Sequence, residues 1–155
     1  MSMPQSFTII VTSEKGEYAA AVASVLDPSI GIGYCPEIIA VSTLGIQNRK
    51  IYSEGMDLGY HINSTIGIYL VDPKVVDLWL ALDNDGEELA RRWIRQKGPA
   101  PKTYYRSWFP DPVVRCEVEL PNMYHYDLLG IWIREIDTLM RPWRNKILQA
   151  YGESS

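Results

Sequence analysis

Between Leu128 and Ile147 the chain carries Leu128, Trp132, Ile136, Leu139, Met140, Trp143 and Ile147. Most of these steps are three or four residues, the period of one helical face. The spacing predicts a helix over 127–150 with a continuous apolar stripe. Such a stripe is stable only when another layer of structure covers it. Pro142 falls inside this segment and should kink or split the helix, because proline lacks the donor for the preceding turn.

The layer to be covered is read from the strand-like segments. Phe7–Thr12, Glu37–Thr43, Lys50–Ser53, Gly59–Asn63, Thr65–Val71, Thr103–Trp108 and Val113–Leu120 are the candidates. In Val113–Leu120, Val114, Cys116, Val118 and Leu120 alternate with Val113, Arg115, Glu117 and Glu119, which predicts one buried face. Glu17–Leu26 reads as a helix that stops before Pro28. Asp72-Pro73 reads as the start of another, with Val75, Leu78, Trp79 and Leu82 as its stripe. Asp83-Asn84-Asp85-Gly86 interrupts that stripe, with Asp85 and Glu88 at the spacing of a capping box. Leu89, Trp93 and Ile94 carry an apolar face on to Lys97, where Gly98-Pro99 stops it. The fold expected is α+β: two layers, a mostly antiparallel sheet packed by three or four helices including the long C-terminal one. At 155 residues a single domain over 1–155 is expected.

Composition narrows the function classes. With 46% hydrophobic residues the chain can bury a core. No basic and apolar leader opens it, and no apolar run nears the 18 or so residues of a membrane span. A cytoplasmic, intracellular and soluble protein without membrane contact is expected. Cys35 and Cys116 are too few for a disulfide scaffold and read as thiols in a reducing compartment.

No motif for metal, phosphate or nucleophilic chemistry is complete. His61 and His125 stand apart from each other and from both cysteines, so no metal and no cofactor is expected. Placing Gly86 at the sixth position of a calcium loop puts Ala81 and Arg92 where carboxylates are required. Gly31-Ile32-Gly33 lacks a third glycine and a following lysine, and there is no Gly-x-Ser-x-Gly elbow. No catalytic residue is assigned, which leans the reading away from an enzyme. No family resemblance is apparent.

Charge is unevenly placed. Residues 1–90 hold 4 basic and 12 acidic groups; residues 91–155 hold 11 basic and 7 acidic, for a net −4. Arg91, Arg92, Arg95, Lys97, Lys102 and Arg106 interleave with Trp93, Tyr104, Tyr105 and Trp108. Arginine and amphipathic aromatics suit protein interfaces. Nucleic acid is the less favoured partner, because the whole chain has a pI near 5.2. The expected function is therefore a non-enzymatic protein-interaction subunit, an assembly component or an inhibitor of a larger protein, with a protein partner or self-association. Its contact residues are expected to be Arg91, Arg92, Arg95, Tyr104, Tyr105, Arg106, Trp108, Tyr124, Arg134, Arg141 and Trp143. The alternative is a small-ligand-binding protein or cysteine-dependent enzyme with a pocket near Cys35 and His61, together with Tyr60 and His125. A second alternative is a nucleic-acid or nucleotide binder through the basic half.

Overall fold

A computed structural model describes residues 7–30, 36–43, 62–63, 76–97 and 113–154. In chain order the elements are β1 (Phe7–Ser13), α1 (Gly16–Ile30), β2 (Pro36–Ser42), β3 (Ile62–Asn63), β4 (Leu78–Ala81), α2 (Asn84–Lys97), β5 (Val113–Arg115), a 3-10 turn (Met123–His125) and α3 (Leu129–Ser154). The five strands form one sheet in the order β3-β2-β1-β4-β5. Every pairing in it is parallel.

This corrects the expected two-layer α+β fold with a mostly antiparallel sheet: the sheet is parallel and helices cover both of its faces. A parallel sheet has both faces covered, so its strands are apolar without alternation. β1 and β4 show this. Ile9, Val11, Leu78 and Leu80 pack with α1 and α3 on one face. Ile10, Trp79 and Ala81 pack with Leu89, Ala90 and Trp93 of α2 on the other. The same physics overturns the helix expected after Asp72-Pro73: Leu78–Ala81 is a fully buried strand. A short apolar run has no period that separates a buried strand from a helix.

The long terminal helix forms with a shifted range and is not split by Pro142. Pro142 and Thr138, whose carbonyl lies one turn earlier, are both exposed, so the unpaired carbonyl can turn to water. Trp132, Ile136, Met140 and Ile147 are buried, whereas Leu128 and Leu139 of the expected stripe are exposed. The Trp132 indole donates to the Pro121 carbonyl at 2.8 Å and meets the Tyr18 ring edge-on at 5.7 Å. α1 runs past Pro28 to Ile30, since a proline in the last turn forfeits only one helical bond. The expected strand Val113–Leu120 is paired only to Arg115, yet Cys116 is buried and Val114, Val118 and Leu120 pack against the same core. Gly59–Asn63 contributes β3, parallel to β2. The strands expected at Lys50–Ser53, Thr65–Val71 and Thr103–Trp108 lie outside the described residues.

Candidate functional site

The chain builds the sheet outward from β1 through β2 and β3, then returns to place β4 on the other side of β1. The order therefore reverses between β1 and β4. In open α/β sheets such a switch point opens a crevice at the carboxyl ends of the strands, and ligands are received there. Here the two loops leaving that edge are Ser13–Gly16, which leads into α1, and Leu82–Asn84, which leads into α2.

Asp83 ties these loops together. Its carboxylate accepts from the Ser13 hydroxyl at 2.7 Å and from the Glu14 N–H at 2.8 and 3.0 Å. It also accepts from the Gly86 N–H at 2.7 Å, while its carbonyl accepts the first helical bond from Glu87. Asp83 is thus the N-cap of α2, two residues before Asp85 of the expected capping box. The Ser13 hydroxyl oxygen in turn accepts from the Lys15 N–H at 3.1 Å. From the β2 side, the Ser42 hydroxyl donates to the Glu14 carbonyl and the Thr43 N–H to the Ser13 carbonyl. The result is a fixed cradle of two N–H groups and one hydroxyl converging on a single carboxylate.

Gly86 is required for this closeness. A Cβ there would overlap the Thr12 carbonyl oxygen and lie 2.7 Å from its carbon. The Thr12 hydroxyl donates to the Gly86 carbonyl at 2.9 Å, in a buried bond. Arg115 ends β5 at the same edge and donates from Nη1 to the Asn84 side chain at 2.7 Å. Its Nε is buried without a hydrogen-bond partner. Such an orphaned donor on a charged group marks a place that another polar atom would satisfy.

The thiols do not enter this cradle among the described residues. Cys116 follows β5, is 1% exposed and places its sulfur 3.9 Å from that of Met140. Burial pushes its thiol pKa up, and the Val118 N–H and Arg115 charge only partly oppose this. A thiolate is the reactive form, so Cys116 is poorly suited to attack. Cys35, Tyr60 and His61 lie outside the described residues. Their described neighbours are Pro36, which opens β2, and Ile62, which pairs with Ala40. His125 is exposed on the 3-10 turn.

Of the expected contact residues, Arg92 and Arg95 both reach Glu88, at 3.7 and 3.3 Å, and Arg91 is half-buried on the same helix. Trp93, interleaved with them, is buried in the core. Arg134 and Arg141 are exposed on α3, and Trp143 is half-buried beneath Lys146. Tyr124 is 73% exposed. Tyr104, Tyr105, Arg106 and Trp108 lie outside the described residues. Sequence reasoning missed Ser13, Glu14 and Asp83 as a group. The signal was two apolar strands each ending in a short polar residue before a helix.

No protein-family model and no curated protein matches the sequence. Solved structures do match. A low molecular weight phosphotyrosine phosphatase from Vibrio cholerae superposes with a TM-score of 0.52 at 14% identity, over 96% of this chain and 99% of that one. The Bacillus subtilis protein YfkJ superposes with a TM-score of 0.52 at 13% identity, over 100% of this chain and 98% of that one. At such identities the likeness is one of fold. The matched fold is that of a protein named as a phosphatase, which corrects the expected non-enzymatic interaction subunit, whether assembly component or inhibitor. Among the described residues no helix is long and apolar enough to cross a membrane, and no cluster of His, Cys, Asp and Glu could hold a metal ion.

Proposed function

We propose that this chain is a small-ligand protein of enzyme type, receiving an oxyanion group at the carboxyl edge of β1 and β4. The observation that carries this reading is the cradle formed by the Ser13 hydroxyl and the Glu14 and Gly86 N–H groups. Such donors recognise a phosphate or carboxylate group. In the free chain the Asp83 carboxylate occupies the cradle. An incoming oxyanion takes the Ser13 and Glu14 donors from it, and Arg115 and Lys15 supply positive charge at the same edge. The shared architecture with a phosphatase supports the location.

Asp83→Ser provides the test. Serine still caps α2 but is too short and uncharged to compete for the Glu14 N–H. A hydrogen bond to a charged group is worth about 1.5–3 kcal/mol. Titration calorimetry with inorganic phosphate should therefore show Asp83→Ser binding at least about ten-fold tighter than the unmodified chain. Adding Ser13→Ala to that variant should reverse the gain. Absence of phosphate binding by Asp83→Ser would overturn the reading.

A further inference from the structure

The outer face of α3 is apolar in a pattern with its own symmetry. Leu128, which caps the start of α3, and Ile131 and Leu139 within it are 61%, 43% and 37% exposed, and Pro142 and Glu135 are exposed between and beside them. At 100° per residue these five side chains fall within an arc of about 80°. They lie on a different face from Trp132, Ile136, Met140 and Ile147, which α3 buries against the core. Glu135 is the centre of the stripe. Ile131 and Leu139 are four residues to either side of it, and Leu128 and Pro142 seven.

We infer that this face is the seat of a second copy of the chain, with the two α3 helices antiparallel across a two-fold axis at Glu135. A two-fold contact requires a self-complementary surface. Antiparallel pairing sets Ile131 against the second copy's Leu139 and Leu128 against its Pro142. The seam runs about 21 Å at 1.5 Å per residue. The charges on α3 select a second copy as the occupant. Asp137 already holds Arg144 at 2.6 Å and Arg141 at 4.0 Å. Arg134 and Glu135 have no ion pair with any described residue; Glu135 lies at the proposed axis, and Arg134, about 100° round the helix, flanks it at the same height. Antiparallel pairing brings each Arg134 within reach of the other copy's Glu135, so the four charges cancel. A plain apolar partner or a lipid surface would leave Glu135 uncompensated at the centre of the seam.

Sedimentation equilibrium of the full chain tests this, with circular dichroism to confirm that each variant is folded. The mass is expected at twice 17.7 kDa at about 100 μM, in the range of modest interfaces. Leu139→Glu and Glu135→Arg, both at exposed positions, should each weaken association by about 30-fold or more. The exchange Arg134→Glu with Glu135→Arg should restore it, because the reciprocal pairs are re-formed. A monomer at that concentration overturns the inference. So does a dimer indifferent to Leu139→Glu, or an exchange variant no better than Glu135→Arg alone. None of these outcomes bears on phosphate binding at the carboxyl edge.

Discussion

At the scale of single residues, Gly86 and Asp77 hold opposite edges of the sheet. Replacing Gly86 by alanine pushes a methyl into the Thr12 carbonyl, at a place where both backbones are pinned by the Thr12 and Asp83 bonds. Overpacking of this kind costs about 1–3 kcal/mol. Urea unfolding of Gly86→Ala should show a loss in that range, and no loss would mean the loops are not held as described. Asp77 accepts from the Thr8 N–H at 2.9 Å. Burial pushes its carboxyl up from the ordinary 3.8, and the Thr8 bond opposes this less strongly. The folded chain therefore holds the Asp77 proton to higher pH than the unfolded chain does. Above 3.8 the folded state binds more protons, so this group lowers stability as pH rises through its folded value. Asp77→Asn keeps the acceptor and removes that loss. It should match the unmodified chain below pH 3.8 and exceed it near neutrality, as read by urea midpoints. The turn-and-cap reading of Asp83-Asn84-Asp85-Gly86 was legible, because short polar residues before an apolar helix face announce a cap. Which carboxylate caps was not legible. That depends on Ser13 and Glu14, seventy residues away in sequence.

At the scale of elements, helices with a polar face and the strands β1 and β2 were readable, and the buried strand β4 was not. α2 ends at Lys97 as Gly98-Pro99 implies, and α3 buries four of the residues on its predicted stripe. β4 was misread because Trp79 and Ala81 serve one core while Leu78 and Leu80 serve the other. A strand wanted by both faces loses the alternation that would identify it. Pro142 sits in the interior of α3 on an exposed position. Within a single copy it contributes no buried contact, while proline in a helix interior costs about 3 kcal/mol relative to alanine. Pro142→Ala should raise the stability of the chain by about 2 kcal/mol in denaturant unfolding. A decrease would show that the proline shapes the helix to fit the core.

At the scale of the whole molecule, the need to cover the last helix was legible, but the number of layers and the direction of the strands were not: two layers were expected, and helices cover both faces of the sheet. Strand direction is set by which segments lie side by side. Here β1 is central only because β4 returns to it across some seventy residues. The cradle follows from that return, since Ser13 and Asp83 meet only when β1 and β4 are neighbours. Aromatic and basic residues drew attention to residues 91–108; of those described, Trp93 is buried in the core, while Arg92 and Arg95 are exposed and pair with Glu88. The most direct test of the central claim follows backbone amide resonances during titration of Asp83→Ser with inorganic phosphate. The account predicts that the Glu14 and Gly86 amides shift first and furthest, with Arg115 Nε following. Shifts confined to residues away from the β1 and β4 carboxyl ends, with Glu14 unmoved at saturation, would contradict it.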